Sequence, residues 1–302
     1  MEKLSKVLLE RAQEMRAGVQ RRASGAVVRT HTPTGLRAID DEFGGLEIGA
    51  MTLLVGGTGA GKSVAMKQLA KGAAQAGLGA IVYFVEDLRR RTADRFLSEE
   101  TGVVSTDLGK LQLSEGELDR VDLAVQQATW AERVAVHFGP ISSSQVLDEV
   151  GRIQTVGGAP LGLVVVDYAG ALVDEGTESM EVRCATTAQA LNVLAGAREM
   201  STVFGAQAAS HVIPRGREQY NRHPGDVSGF RPGLGDAAFA RRMEQYAKAV
   251  WSVHRPGYWK RELGDGSAID DTLELHIVKN NFGGTGWVPL SFDGATSTIK
   301  DR

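Results

Sequence analysis

The sequence predicts an α/β fold: a mostly parallel sheet flanked by helices, extended at its C-terminal end by antiparallel strands. Three observations carry this. The apolar run Met51-Thr52-Leu53-Leu54-Val55 leads through a glycine-rich turn into a stretch, Lys62 to Gln75, whose Ala65, Met66, Leu69, Ala70 and Ala73 recur at helical spacing. Leu161 to Val166 is a continuous apolar run ending on Asp167, the pattern of a strand buried on both faces. Shorter apolar runs alternate with helical periodicities between and after these two.

The elements follow in order. Residues 1–20 read as one amphipathic helix, with Leu4, Leu8, Ala12, Met15 and Val19 on one face among charged neighbours. A basic, small-residue stretch to Thr32 separates it from the rest, giving residues 1–32 as helix and linker and 33–302 as the main domain. The tethered helix can lie on its own domain or dock on a neighbouring subunit, and both readings stay open. Ala80 to Val85 is a strand ending on Glu86-Asp87, and Leu88 to Glu100 a basic helix. Ser114-Glu115-Gly116-Glu117 is a capping box opening a further helix. Val134 to Phe138 is a strand, and Val146, Val150 and Ile153 mark another helix. Glu178 to Met200 reads as a long helix and Thr202 to Ala206 as a strand ending on Gln207.

His211 to Gly235, rich in Gly, Pro and Arg, is expected to be a long mobile loop. Asp236 to Gln245 looks helical. Ala249 to His254, Thr272 to Lys279 and Thr285 to Phe292 read as consecutive strands, with turns at Gly264-Asp265-Gly266 and Phe282-Gly283-Gly284.

Residues 56–63, Gly56-Gly57-Thr58-Gly59-Ala60-Gly61-Lys62-Ser63, fit G-x-x-x-x-G-K-[ST] in its required setting of strand, turn and helix. Glycines let successive backbone N–H groups converge on phosphate oxygens, and the helix N-terminus adds partial positive charge. The motif therefore predicts nucleoside triphosphate binding, with Lys62 on the β- and γ-phosphates and Ser63 on Mg²⁺. Asp167, at the tip of its strand, is the expected second Mg²⁺ residue. Glu86 is a candidate base for the attacking water, and Gln207 a candidate γ-phosphate sensor. Arg215, Arg217 and Arg222 of the basic loop are candidate DNA phosphate contacts, with Arg241, Arg242 and Lys248 next in line.

Composition narrows the class. The 302 residues are 42% hydrophobic and 24% charged, ordinary for a globular chain, and the net charge of −3 leaves no global basic field. Nucleic acid would have to meet a local patch. The single Cys184 excludes an internal disulfide or a cysteine metal cluster and is expected to pack within a helix. No run approaches the ~18 apolar residues of a membrane span, and a cytoplasmic location without a membrane partner is expected.

These motifs, in this order, resemble the motor domain of the DnaB-type replicative helicases, RecA-like P-loop NTPases, from Thr34 to Asp301. Thr34-Gly35-Leu36-Arg37-Ala38-Ile39-Asp40 is similar to that family's lead-in. Glu86 stands in the place of its catalytic glutamate, followed by Arg95 and Ser98-Glu99. Leu161 to Tyr168 resembles its magnesium strand, Gln207 its strand-end glutamine, and Glu244-Gln245 with Ala249 to His254 its late helix and strand. Lys279 to Gly286 resembles its C-terminal hairpin.

The resemblance implies an ATP- and Mg²⁺-dependent ring, a homo-oligomer that is hexameric in family terms, moving on single-stranded DNA with a loader or primase as partner. It implies that Lys279 acts on the neighbouring subunit's nucleotide. There are departures. The family's Lys-x-Arg finger reads Lys279-Asn280-Asn281 here, so Asn281 holds the arginine position. Ala238-Phe239-Ala240-Arg241 replaces an Arg-Glu-Ser-Gly element that grips DNA. The primase-binding collar has no counterpart, and residues 1–20 stand in the place of the family's linker helix. Lys279-Asn280-Asn281-Phe282-Gly283 also resembles a motif of RadA-type recombination ATPases. The expected function is an ATP-dependent, ring-forming DNA helicase. The alternatives are a RadA-like repair ATPase and a DNA-binding assembly protein with weak turnover.

Overall fold

A computed structural model describes residues 2–25, 28–173, 179–238, 241–265 and 271–302, with the backbone alone at Ala169 and Arg241. Glu178, Phe239, Ala240 and Gly266, which figure in the expectations above, lie outside the described residues.

Five parallel-sheet strands come first: β1 (Met51–Gly56), β2 (Gly79–Phe84), β3 (Val134–Phe138), β4 (Ala159–Asp167) and β5 (Ser201–Gln207). They are followed by β6 (Ala249–His254), β7 (Thr272–Asn280), β8 (Gly286–Asp293) and β9 (Thr298–Asp301). Their spatial order is β9-β8-β7-β6-β1-β5-β4-β2-β3. The six strands from β6 to β3 pair in parallel and β7 to β9 add antiparallel, so the α/β, RecA-like architecture expected from sequence is what the chain adopts.

β1 shows why the central runs lack polar alternation. All six of its residues are buried, Leu54 packing on one face of the sheet and Met51, Leu53 and Val55 on the other. Both faces of a central strand lie under helices, so hydrophobic burial acts on every position.

The helices are α1 (Leu4–Ala23), α2 (Arg37–Phe43), α3 (Lys62–Gln75), α4 (Arg89–Thr101), α5 (Ser105–Lys110) and α6 (Glu115–Gln127). The C-terminal half adds α7 (Ser143–Arg152), α8 (Met180–Arg198), α9 (Val212–Arg222), α10 (Arg241–Tyr246) and α11 (Pro256–Glu262). Cys184 is buried in α8, as expected. α1 is not packed into its own domain: none of its residues is buried, and Leu4, Leu8 and Val19 are 72%, 61% and 67% exposed. The arrangement in which this helix lies on its own domain is therefore not the one the fold adopts.

Three expectations need correction. The segment 211–235 is not a structureless loop, because α9 occupies its first half and a 3₁₀ turn spans Ser228–Phe230. Pro214 sits in the first turn, where the missing N–H would have been unpaired anyway. Gly216 is buried because a side chain there would collide with Phe230, its Cβ falling 2.3 Å from the ring. A glycine that reads as a loop former is in fact a packing notch. The helix expected over 236–245 does not take in residues 236–238, since Ala237 bridges to Ala208 and Asp236 is bonded to Gly233, His211 and Arg215; among the described residues it runs over Arg241–Tyr246. Finally, β6 and β7 are joined through α11 rather than by a simple turn, with Pro256 at the first helical position setting φ for the turn that follows.

Candidate functional site

The functional candidates at the C-terminal ends of the parallel strands converge because β1, β5, β4 and β2 are neighbours in that order. β1 delivers Gly56 into the glycine turn, and Gly61 closes it as the N-cap of α3 at φ 93°, a left-handed conformation that favours glycine. Lys62 follows directly, only 9% exposed, with its Nζ 5.7 Å from the centre of the Tyr168 ring. Burial lowers its pKa, opposed by the charges of Asp167 and Glu86. Asp167, at the end of β4, is 7% exposed and accepts a hydrogen bond from the Ser63 hydroxyl. Burial raises its pKa, and the Ser63 bond and Lys62 pull the other way.

Glu86 lies just beyond β2, exposed to solvent and hydrogen-bonded to the Tyr168 hydroxyl. Gln207, at the tip of β5, donates through Nε2 to the Thr58 hydroxyl. Thus Lys62, Ser63, Asp167, Glu86 and Gln207 are brought to one edge of the sheet. The described residues contain no cluster of His, Cys, Asp or Glu able to hold a metal by themselves. A hydroxyl and a carboxylate beside a buried lysine fit a Mg²⁺ ion that shares its ligands with a phosphate chain.

The outer side of the glycine turn is walled by residues that sequence reasoning assigned otherwise or missed. Tyr258 stands against Gly59 and Trp259 against Gly57, so that an added Cβ would fall 2.8 Å and 3.3 Å from their rings. Arg255 donates from Nη1 to the Gly59 carbonyl at 3.1 Å, and its guanidinium lies 3.7 Å from the centre of the Phe292 ring. Burial and the nearby Arg261 lower its pKa to about 10, which leaves it cationic near neutral pH. Arg255, at the start of the helical connection between β6 and β7, therefore braces its own chain's turn. Pro256, two residues after the end of β6 and two before Tyr258-Trp259, was the available signal for this helix.

Phe230 stacks on Trp259 with centroids 4.2 Å apart, tying the 3₁₀ turn after α9 to α11. Between them and the glycine turn lies a cavity of about 210 Å³ lined by Thr58, Gln207, Arg217, Trp259 and Glu262 among others. Of the candidate DNA contacts, Arg215 is engaged internally, donating to Asp236 at 2.7 Å and to the carbonyls of Gly229 and Arg231. Arg222 pairs with Glu218. Arg217 faces the cavity, Arg242 is exposed, and only the backbone of Arg241 is described.

Lys279 is not brought to this site. It pairs with Val250 at the start of β6, whereas Val253, near the end of β6, pairs with Gly56. Three residues of strand, about 10 Å, separate these levels, so Lys279 faces the opposite edge of the sheet. Its Nζ donates at 2.7 Å to the carbonyls of both Glu244 and Ala247. Burial and Lys248 lower its pKa against the pull of Glu244.

Behind the site, Lys67 and Lys71 of α3 pair with Glu99 of α4 at 2.5 and 2.7 Å, and Lys67 also donates to the Ser297 carbonyl at 2.8 Å. Arg95 of α4 pairs with Asp87, next to Glu86, at 2.5 Å. These contacts hold the helix that follows Glu86 against the helix that carries Lys62.

The chain has recognisable relatives. The family model for the DnaB-like helicase C-terminal domain matches residues 32–301. No curated protein matches in sequence. Among solved structures, an isolated ATPase domain superposes with a TM-score of 0.82 at 15% identity, covering 100% of this chain and 99% of that one. A DnaB-like replicative helicase, described with its interactions with primase, gives a TM-score of 0.80 at 15% identity, covering 100% of this chain and 67% of that one.

Proposed function

The chain belongs to the DnaB-like helicase C-terminal domain family, and from that premise we propose that it is an ATP-hydrolysing motor that assembles as a ring and translocates on single-stranded DNA in replication. The observation that carries the reading is the convergence of Lys62, Ser63, Asp167, Glu86 and Gln207 at one sheet edge.

In this mechanism the glycine-turn N–H groups and Lys62 bind the β- and γ-phosphates of ATP. Ser63 and Asp167 would hold Mg²⁺, which when bound would neutralise phosphate charge. Glu86 accepts a proton from water as the water oxygen bonds to the γ-phosphorus and ADP departs. The Tyr168 hydroxyl orients the Glu86 carboxylate. Gln207 bonded to Thr58 lies where loss of the γ-phosphate would be felt by β5 and, beyond it, by α9.

Two features support a ring, with six subunits by analogy with the family. The apolar face of α1 is left exposed by its own chain. An apolar groove of about 360 Å³, lined by Phe96, Leu97, Val125, Trp130 and Val136, lies open between α4, α6 and β3 and could receive such a helix from a neighbour. Lys279, at the opposite edge from its own nucleotide site, could act only on another subunit's. A loader or primase as partner is part of the same proposal.

The decisive experiment is Glu86→Gln assayed on forked DNA. ATP binding retained, with hydrolysis and strand displacement both lost, supports the reading; hydrolysis at the parental rate removes Glu86 as the base. One observation favours a second reading, an assembly protein with slow turnover. Asn281 brings no charge, and Lys279 is already bonded to two carbonyls. DNA binding without strand displacement by the parental protein would select that reading. A RadA-like repair role would instead show itself as branch extension without unwinding.

A further inference from the structure

A second basic surface lies beyond Glu86, where α4 and α5 enclose an open groove of about 590 Å³. Arg90, Arg91, Arg95 and Lys110 line it against a single acid, Asp94. α4 opens with three consecutive arginines, has no acid in its first turn, and has no side-chain cap. Cations at a helix N-terminus oppose its dipole, so this placement does not serve the helix. Nor does it serve internal pairing in full. Arg95 is held by Asp87, and Arg90 donates to the Gly109 carbonyl at 2.6 Å. Arg91 and Lys110 are exposed and have no ion pair among the described residues. Ser105 and Thr106 add hydroxyl donors along the same wall.

We propose that this groove binds the phosphodiester backbone of nucleic acid, as a contact separate from the arginines of α9. The inference rests on the motor reading for the identity of the polyanion and goes beyond it in location. A backbone is favoured over an acidic protein because no aromatic side chain lines the groove and Leu88, 65% exposed, is the one large apolar residue there. Protein partners are held mainly by buried aromatic and apolar anchors, whereas a phosphate chain needs spaced cations and hydroxyls. Arg91 and Lys110, which have neither an ion pair nor a side-chain hydrogen bond among the described residues, carry the proposal, and the exposed Arg90, also without an ion pair there, adds a guanidinium with N–H groups beyond the one given to Gly109.

The test uses the full chain carrying Arg91→Ala and Lys110→Ala together, with Arg91→Glu as a second variant. Binding of fluorescein-labelled oligo-dT is followed by anisotropy across a salt series, with thermal unfolding as the check that the variants fold. Each phosphate contact on a single strand contributes about 0.7 to the salt slope, so losing two should flatten it by about 1.4 and weaken binding at low salt on the order of tenfold. Arg91→Glu should weaken it at least as much. Parental affinity and slope in folded variants would overturn the proposal. So would parental binding of a polyglutamate peptide that the double variant loses while oligo-dT binding persists. An oligo-dT affinity reduced in the groove variants, in a protein that nevertheless fails to displace strands, would uphold the groove and sink the helicase reading alone. A parent that binds no oligo-dT with or without ATP would overturn both.

Discussion

Arg255 offers the sharpest division between two roles for an arginine near a nucleotide. In this chain it braces the glycine turn from outside, through the Gly59 carbonyl at 3.1 Å and the Phe292 ring at 3.7 Å. Arg255→Ala removes both contacts. A charge-assisted hydrogen bond contributes about 1.5–3 kcal/mol, and a half-buried cation–π contact about 1 kcal/mol. The total is about 3 kcal/mol of order in the loop that cradles phosphate. If half or more of that acts on nucleotide binding, ATP affinity should fall about tenfold to a hundredfold. Turnover at saturating ATP should change far less. A finger arginine behaves in the opposite way: it leaves affinity nearly intact and its loss lowers kcat by on the order of 10³-fold or more. Equilibrium binding of a fluorescent ATP analogue, measured beside steady-state hydrolysis, separates the two. Arg255→Lys should fall between parent and Ala, since a lysine keeps the charge but not the planar contact with Phe292. Unchanged affinity with turnover reduced by three orders of magnitude or so would refute the bracing role and make Arg255 a candidate for acting in trans.

The other predictions concern assembly, the opposite sheet edge and pH. Deleting residues 1–23 should leave a folded monomer but weaken oligomer formation, because the exposed apolar face of α1 adds no buried residue to its own domain; light scattering with and without ATP reads this out, and an undiminished oligomer would exclude the helix from assembly. Lys279→Ala should cost about 1–3 kcal/mol of unfolding free energy through the lost bonds to Glu244 and Ala247, measurable by denaturant titration, so loss of activity in that variant alone does not establish a role in catalysis. Asn281→Arg is the cleaner probe: it should speed DNA-stimulated hydrolysis if the neighbouring nucleotide lacks an arginine, and it should be neutral or harmful if another arginine already serves. His254, beside Glu274, Arg231 and His276, is 1% exposed, and burial lowers its pKa to about 4. A depressed histidine stays neutral in the fold while the unfolded chain takes up a proton, so stability should be fully present above about pH 6.5 and decline as pH falls towards 4. Thermal melts of His254→Gln should show a shallower decline over that window; an identical slope would place the titration elsewhere.

Much of the fold was legible in sequence because the signals that define it are local. Residues 51–75 carry a strand, a glycine turn and a helix within one contiguous stretch, and covalent continuity alone places Lys62 and Ser63 at the helix start. Asp167 was legible for a related reason: a run buried on both faces has no polar position until it emerges from the sheet, so the first carboxylate marks the strand's end. Glu86 and Gln207 followed from the same rule.

What the tertiary structure alone decided depends on partners distant in the chain. Gly216 reads as a loop former until Phe230, on the 3₁₀ turn that follows, fills the space where its side chain would be. Arg255 reads as a surface cation until the Gly59 carbonyl, 196 residues away, accepts its hydrogen bond. Lys279 reads as a site residue by motif, yet antiparallel pairing with β6 carries it to the far edge of the sheet. The arginines of α4 are visible as a run of charge, but only the approach of α5 turns them into one wall of a groove. Periodicity and motif record what a residue's own neighbourhood requires; which distant groups meet is set by strand order and helix packing, where the free energy of burial is shared among residues that no local pattern connects.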